Sequence, residues 1–367
     1  MNKEILSTRG AGSIMILVIL CCAILMGLVT VKQDVWIVIL LSALMFLPVI
    51  LVYSRICALF PEQGLYQILR ILFGKAIGSV LIFLFAGYAL VLAGLSLRNF
   101  TEFTVVVALE NTPRIVLMIV ILFVALFLAH QGLSAFGKWS SIVCLVILLN
   151  AVLTILISLD VLEVSRIKPI LEHSFSQIAD NSASVGSIAV GETVLVLAIM
   201  GHVKQEKGSS KVFLWGFVVG IVFLTVTVLR NLMILGPEMI STSKYPGFVA
   251  ARIIHLGAFF ERMESVISFN LILMGIAKIA LCLSVATMGA AELLKSQNYR
   301  RLLLPVSLLA LALCLIVFKT TFEMFEFARV YQYLAFPIQV ILPVIIWIMA
   351  EIKMRKKRMP QMDETSQ

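Results

Sequence analysis

Charged residues are scarce in this chain of 367 residues. Asp, Glu, Lys and Arg make up 13% of it, whereas soluble domains usually contain about 25%. Hydrophobic residues make up 61%, and the mean hydropathy is +1.07. Such a composition excludes a soluble enzyme, a disordered chain and a disulfide-rich scaffold. An integral membrane protein is the class that it favours.

Cysteine is also sparse, and motifs for metal binding or catalysis are missing. The six cysteines lie in or beside apolar runs and form no repeated Cys-x-x-Cys pair. Buried cysteines of this kind behave as small hydrophobic side chains, so we predict no zinc site and no disulfide framework. The sequence contains no Ser-His-Asp set, phosphate-binding loop or dinucleotide-binding glycine motif. We therefore predict that the chain is not an enzyme and has no cofactor.

Long apolar runs are what the sequence has instead. Each of ten runs is long enough, or nearly so, to cross the ~30 Å hydrocarbon core of a bilayer as a helix. Continuous apolar runs also argue against a β-barrel, whose strands alternate apolar and polar residues. We predict an all-α integral membrane protein with ten transmembrane helices, at residues 13–30, 35–53, 76–97, 115–129, 140–159, 184–200, 212–235, 265–287, 302–317 and 334–350.

Basic residues are distributed unevenly about these spans. The side that carries the N-terminus has 17 of the 29 Lys and Arg, the other side has 11, and Lys278 lies inside a span. Because cytoplasmic loops are enriched in Lys and Arg, we predict that both termini are cytoplasmic. Residues 353–367 form a basic tail, which is either a stop-transfer charge cluster or a site for anionic membrane lipid. We expect no binding of nucleic acid.

Ten spans divide into two halves of five within a single transmembrane domain at residues 1–360. The first half covers residues 1–159 and the second covers 184–350. An odd number of spans per half inverts the second half, as in transporters whose ligand site lies where the first helix of each half is broken. The long connections 160–183 and 236–264 contain scattered apolar residues. We therefore expect short helices in both connections.

Two ionisable residues lie near the middle of predicted spans, where an insertion cost of roughly 2.5–3.5 kcal/mol makes each a functional candidate. Glu192 follows Gly191 in the sixth span, and this glycine permits a helix break. Glu192 could pair with a substrate ammonium, carry a proton or form structural hydrogen bonds. Lys278 in the eighth span could occupy the position where a transporter binds a cation, or it could form a purely structural contact between spans. We expect Glu192 to be its partner.

Other charged residues have structural interpretations. Arg98 and Glu102 are four residues apart at the outer end of the third span, so they can pair on one helix face. Arg230 lies near the outer end of the seventh span, and we expect its side chain to snorkel to the interface. Glu261 and Glu264 precede the eighth span, where acidic groups suit a helix N-terminus. None of these residues requires a chemical role.

Short strings along almost the whole chain resemble the endospore germination permeases. These are the B subunits of spore germinant receptors and belong to the amino acid–polyamine–organocation superfamily. The order and spacing of the strings, with ten spans, carry the resemblance. The strings are Gln33-Asp34-Val35-Trp36-Ile37, Phe60-Pro61, Phe73-Gly74-Lys75, Arg98-Asn99-Phe100-Thr101-Glu102-Phe103, Thr112-Pro113, Lys168-Pro169, Gly191-Glu192, Gly236-Pro237-Glu238 and Glu261-Arg262-Met263-Glu264.

The resemblance implies a fold and a function. The fold is a 5+5 inverted repeat with broken first and sixth helices, in the inner membrane of a spore. The function is to sense a small germinant, typically an amino acid, and to trigger germination together with A-type and C-type receptor subunits. A proton-coupled amino acid transporter with the same site is the alternative.

The resemblance also implies a ligand site. Gly191 and Glu192 match the family's position in the broken sixth helix, and Lys278 matches a lysine that is frequent in the eighth. The first helix departs from the family because it has no glycine across residues 20–24, and small residues permit an unwound segment less readily than glycine. We predict that the ligand contacts the backbone of the two broken helices and the two charges, at Cys21, Cys22, Ala23, Gly191, Glu192 and Lys278.

Overall fold

The computed structural model describes residues 5–204, 211–254, 263–318 and 320–364. Within these ranges all regular elements are helical, apart from an isolated bridge between Leu6 and Val203. The α-helices are α1 Thr8–Cys21, α2 Val35–Leu59, α3 Leu65–Val107, α4 Arg114–His130, α5 Leu133–Ile157, α6 Phe175–Ala189, α7 Val194–Ile199, α8 Val212–Thr242, α9 Pro246–Ile253, α10 Met263–Leu293, α11 Leu303–Ile316, α12 Thr321–Phe336 and α13 Leu342–Glu364.

The described residues contain nine helical segments that are long and apolar enough to cross a membrane, and α4 is a shorter apolar helix of 17 residues. The all-helical membrane fold is therefore confirmed, whereas the exact count of ten crossings and the boundaries of the two halves stay predictions. The nine segments are Thr8–Leu28, Lys32–Leu59, Leu65–Val107, Leu133–Ile157, Phe175–His202, Val212–Thr242, Met263–Leu293, Tyr299–Ile316 and Phe322–Arg355.

The first and sixth spans are both interrupted, as predicted. The first continues beyond α1 as a 3-10 helix over Cys22–Leu28. In the sixth span a 3-10 turn over Gly191–Thr193 separates α6 from α7. A mid-helix stretch of 3-10 structure often marks a functional hinge, because its hydrogen bonds have poorer geometry than those of an α-helix. The first interruption begins at a cysteine, so glycine is not needed there.

Two glycines with positive φ bend the longest helices. Gly74 has φ 73° and separates residues 65–73 from the rest of α3, while Gly236 has φ 76° and bends α8 ahead of its last turn. A residue with a Cβ atom is disfavoured in this left-handed conformation by about 1–2 kcal/mol. The connection after Gly236 contains α9, so the short helix predicted there is confirmed.

The connection at 160–183 also contains short helical segments, as predicted. It has 3-10 turns at Leu159–Val161 and Val164–Ile167, and α6 begins within it at Phe175. The Ser174 hydroxyl caps the start of α6 by accepting from the Gln177 main-chain N–H. Such a cap satisfies a main-chain donor that the first turn of a helix leaves without a partner.

Close packing of α1 against α8 depends on two glycines. A Cβ atom on Gly216 would lie 2.9 Å from Met15 Sδ, and one on Gly220 would lie 2.9 Å from Ile19 Cδ1. Real Cβ atoms do not approach other atoms so closely, and small residues let two helix backbones come together. The first span also packs against α5 and α10. Three helices thus hold α1 in place.

We call the end of the bundle at which α1 begins the terminal face, and the opposite end the far face. The Leu6 N–H donates to the His202 carbonyl oxygen at 2.8 Å, and the Lys204 N–H donates to the Leu6 carbonyl oxygen at 2.9 Å. The start of the first span and the end of the sixth therefore meet at the terminal face. Arg55 at the end of α2 pairs there with Glu351 of α13, with 2.7 Å between Nε and Oε1.

Candidate functional site

A buried ion pair joins the sixth and eighth spans. Lys278 Nζ lies 2.5 Å from Glu192 Oε2, and the two side chains are 6% and 2% exposed. Glu192 stands in the 3-10 turn that interrupts the sixth span, and Lys278 lies near the middle of α10. An unpaired charge at this depth is costly, so each group stabilises the other. The partner expected for Lys278 is confirmed, and ligand binding by the pair stays a prediction.

Uncharged polar groups continue from this ion pair into the bundle. The Tyr331 hydroxyl forms a hydrogen bond with the Glu192 carboxylate and lies 2.8 Å from the Tyr88 hydroxyl. Gln339 Nε2 donates to the Tyr88 hydroxyl at 2.9 Å, and Gln339 Oε1 accepts from the Ser187 hydroxyl at 2.7 Å. Buried polar groups need such partners, and a satisfied network fixes one arrangement of the core. The network connects the third, sixth and tenth spans to the ion pair.

Gln339 explains why residue 191 is a glycine. A Cβ atom at Gly191 would lie 2.2 Å from Gln339 Oε1, so any side chain there would displace the amide. Gln339 lies in a π-helical turn, Pro337–Ile341, and its main-chain oxygen accepts from the Tyr53 hydroxyl at 2.5 Å. Single π-turns within α-helices occur frequently at functional sites. The two chain irregularities, in the sixth and tenth spans, therefore face each other.

The tyrosines and Gln339 are functional candidates that the sequence analysis missed. A signal was present, because Gln339 is a lone amide inside an apolar run and Tyr88 carries a hydroxyl within the third predicted span. Uncharged polar residues are less costly to bury than charges, so they stand out less against an apolar background. Their membership of the hydrogen-bond network that reaches Glu192 through Tyr331 distinguishes them from packing residues.

The three candidate residues of the first span point to different sides. Cys21 and Cys22 are buried, and both thiols lie within electrostatic range of Glu192 and Lys278. Cys22 also lines a cavity of about 100 Å³ between the 3-10 part of the first span and α6. Ala23 lines a different cavity, of about 80 Å³, between α5, α8 and α10. The structure thus groups the two cysteines with the ion pair and sets Ala23 apart.

A small cavity adjoins the ion pair. Its volume is about 30 Å³, and its polar lining consists of Ser96, Asn99, Tyr331, Glu192 and Lys278. About 10–15 Å³ is enough for one water molecule, so this space admits very few. A molecule the size of an amino acid requires the surrounding side chains to move apart. In this conformation the space beside the ion pair is therefore too small for an amino acid.

A second buried ion cluster lies near the far-face end of α3. Glu102 Oε1 is 3.0 Å from Arg98 Nη2 and 3.0 Å from Arg114 Nε, and the Glu102 side chain is fully buried. The predicted pair four residues apart is confirmed. Arg114 is the first residue of α4, so the cluster also fastens the connection between α3 and α4. These contacts support the structural interpretation of both sequence-predicted residues.

Arg230 is not at the interface. Its side chain is 2% exposed, and Nη2 donates to Asn231 Oδ1 at 2.6 Å. The expectation that Arg230 snorkels is wrong, because the side chain turns into the bundle and lines the same cavity as Ala23. The position of a residue along a span does not determine the direction in which its side chain points. Glu261, which was also given a structural role, lies outside the described residues.

The parts of the chain that the structure describes contain no cluster of three or more His, Cys, Asp or Glu that could hold a metal ion. His173 contacts an acid through Nδ1, which is 2.9 Å from Asp34 Oδ2. Asp34 also accepts from the main-chain N–H groups of Leu171 and His173, at 2.8 and 3.2 Å. These bonds fasten the connection before α6 onto the start of α2, which is a structural role.

Comparisons with known proteins agree with this architecture. The sequence model of the spore germination protein family matches residues 5–324. Spore germination protein KB of Bacillus subtilis (strain 168) is 22% identical over 337 residues, which cover 90% of each chain. Spore germination protein A2 of the same strain is 26% identical over 233 residues, or 63% of this chain and 64% of the relative.

A solved transporter structure shares the fold. Mhp1, a nucleobase-cation-symport-1 family transporter in a closed conformation with bromovinylhydantoin bound, superposes with a TM-score of 0.68 at 13% identity. The superposition covers 94% of this chain and 78% of the transporter. Family and fold are thus those of permease-like membrane proteins rather than of enzymes. With the family model matching most of its length, this chain belongs to the spore germination permease family.

Proposed function

We propose that this protein is the nutrient-sensing membrane subunit of a spore germinant receptor. It binds a small nutrient of the amino-acid type between the first, sixth and eighth spans, and the bound nutrient triggers germination. The observation that carries the proposal is the buried Glu192–Lys278 pair at the interruption of the sixth span, in a member of a spore germination family. Ionisable groups at this depth mark ligand pathways in membrane proteins.

The chemistry of the pair suits a zwitterion. With no ligand present, the Glu192 carboxylate and the Lys278 ammonium neutralise each other. An amino acid brings one ammonium and one carboxylate, so it can replace this internal pair with two pairs of its own. The interrupted helices supply main-chain donors and acceptors near Cys21, Cys22 and Gly191, as broken helices do in transporters. Lys278 is the group for the ligand carboxylate, and Glu192 is the group for its ammonium.

Ligand binding is coupled to a change of conformation. The cavity of about 30 Å³ beside the pair is too small for an amino acid. The ligand therefore prefers a wider state, and its differential affinity for the two states shifts the population toward that state. A partner that contacts the bundle differently in the two states receives the signal. This coupling requires no passage of the nutrient across the membrane.

The proposal includes a location and partners. The protein lies in the inner spore membrane with both termini in the cytoplasm, so the terminal face is cytoplasmic. The excess of Lys and Arg on that side, including the basic tail at residues 353–367, supports this orientation. Receptor subunits of the A and C types are the proposed partners.

A proton-coupled amino acid transporter is the second candidate function. Its support is the fold shared with a transporter, together with a buried carboxylate that could carry a proton. The two functions differ in a measurable way. Uptake of labelled amino acid by vesicles that contain this chain alone, driven by a pH gradient, would favour transport. Absence of uptake, with loss of spore response on deletion, would favour sensing.

The test uses spores whose only intact receptor includes this subunit. We expect wild-type spores to germinate with at least one amino acid, and Lys278→Met spores to lose that response. Lys138→Met is the matched control, because Lys138 is an exposed lysine near the start of α5 and takes no part in the ion pair. A normal response from Lys278→Met spores with wild-type protein levels would contradict a ligand-binding role for the pair.

A further inference from the structure

The cavity of about 80 Å³ beside Ala23 contains a buried arginine. Its lining comes from the first span, α5, α8, α10 and the start of α9, and includes no Asp or Glu. Arg230 is 2% exposed, and its Nε has no hydrogen-bond partner. The amide oxygen of Asn231 accepts from Nη2 but carries no charge. Among the described residues, no acid neutralises this guanidinium.

A second buried donor without a partner lines the same cavity. The Tyr245 hydroxyl is buried and forms no hydrogen bond. Two amides of the lining, Asn150 and Asn270, bond to each other, with Asn150 Nδ2 donating to Asn270 Oδ1 at 3.0 Å. The cavity therefore combines a positive charge and two donors without partners with neutral polar side chains only, from three asparagines and two threonines. Buried polar groups in native proteins are nearly always paired, so two donors without a partner in one cavity can both serve a bound acceptor.

The unpaired arginine contrasts with the other buried cations of the described bundle. Lys278 has Glu192, and Arg98 has Glu102. Arginine in a membrane-spanning segment is rare and faces a cavity or a counter-charge. Charged groups are almost never fully buried without a pair. Among the described residues Arg230 has no counter-charge, and a bound anion would supply one.

We propose that this cavity is a binding site for a small aliphatic carboxylate. The planar guanidinium of Arg230 matches a carboxylate, and the Tyr245 hydroxyl is a further donor to it. The remaining lining is mostly apolar, with Leu271, Met274 and Phe223 available to the aliphatic part. This lining disfavours strongly hydrated anions such as sulfate, because it cannot replace their water.

The volume limits the ligand to a short chain. About 80 Å³ is available, roughly half of the ~150 Å³ cavity that binds benzene in an engineered protein. Acetate and propionate are the matching probes. The cavity shares no lining residue with the cavity at Glu192 and Lys278, so carboxylate binding can be tested separately from the proposed nutrient site.

The test measures the melting temperature of the purified full-length protein in detergent, followed by fluorescence of its four tryptophans. Sodium sulfate is replaced by sodium propionate at constant ionic strength. We expect a saturable rise of about 2–4 °C, since a ligand that binds only the folded state stabilises it. Propionamide, which has the same shape without the charge, is expected to give no rise. No rise with propionate, or an equal rise with propionamide or chloride, would overturn the assignment.

Variants locate the effect within the cavity. Arg230→Gln is expected to lose the rise, whereas Arg55→Gln retains it, because Arg55 is exposed and pairs with Glu351 elsewhere. Tyr245→Phe removes a single donor, so half-saturation should require about 3–10 times more propionate. This variant keeps the test decisive if Arg230→Gln does not fold. The assignment of the site would be contradicted if Tyr245→Phe left the propionate response unchanged. It would also be contradicted if Arg230→Gln gave the same rise as the wild type.

Discussion

Lys278 and Arg230 are both buried cations of spanning helices, yet their surroundings differ. Lys278 lies 2.5 Å from a carboxylate of the same chain, whereas Arg230 has one neutral acceptor and borders a cavity. At the first site a counter-charge is already present within the chain. At the second site the described residues supply no counter-charge. The comparison teaches that burial of a charge alone does not reveal its role, because the role depends on where the counter-charge is.

The largest expected effect comes from breaking the internal pair. Lys278→Met leaves the Glu192 carboxylate buried without a counter-charge, which should lower the free energy of unfolding by roughly 3–5 kcal/mol. The double variant Glu192→Gln, Lys278→Met removes both charges and should be clearly more stable than Lys278→Met alone. Equilibrium unfolding in detergent measures both, with Lys138→Met as the control. Strictly additive effects of the two substitutions would rule out coupling.

The next largest effect is expected where Gln339 approaches Gly191, next to the ion pair. Gly191→Ala places a Cβ atom in the position of the Gln339 amide, so we expect a loss of about 1–3 kcal/mol. Gly12→Ala in α1 is the matched control, because a Cβ atom there meets nothing within 4 Å. The same unfolding titration distinguishes them. Equal stability of the two alanine variants would show that Gln339 does not need to approach Gly191.

A smaller effect is expected from the hydroxyl that bonds to Glu192. Tyr331→Phe removes hydrogen bonds to Glu192 and Tyr88 and should cost about 0.5–1.5 kcal/mol. Tyr333→Phe is the control, since Tyr333 is 67% exposed and its hydroxyl lies 3.4 Å from Asp180. In spores, Tyr331→Phe should also change the nutrient concentration at half-maximal germination. A Tyr331→Phe variant that matches the Tyr333→Phe control in both assays would separate Tyr331 from the site.

The smallest effect on the free energy of unfolding is expected at Arg230. Arg230→Gln leaves no buried acid behind, and relief of an unpaired charge offsets the hydrogen bond lost to Asn231. In the absence of carboxylates, the free energy of unfolding should change by less than about 1 kcal/mol. A loss as large as that of Lys278→Met would erase the contrast between the two cations. It would indicate that Arg230 has a structural partner after all.

Features that differ sharply from their sequence neighbours, such as a charge inside an apolar run, could be predicted from the sequence. Glu192 and Lys278 stand out because a charge inside an apolar run is costly, and their pairing followed from their similar depth. The direction of Arg230 could not be predicted, because helices that are apolar all round carry little periodicity to show which face is buried. Gln339 was missed for a different reason, because an uncharged amide costs less to bury than a charge and so stands out less in an apolar run. The change from α-helix to 3-10 helix after Cys21 could not be predicted either, because it depends on packing against distant parts of the chain.

The short bridge at Leu6 has a mechanical consequence. Two main-chain hydrogen bonds, at 2.8 and 2.9 Å, join Leu6, just before α1, to His202 and Lys204 at the end of the sixth span. Separating these two segments costs about 0.5–1.5 kcal/mol per hydrogen bond, so displacement of one segment tends to move the other. A displacement at the interruption of one span would therefore reach the other span at the terminal face through these two hydrogen bonds.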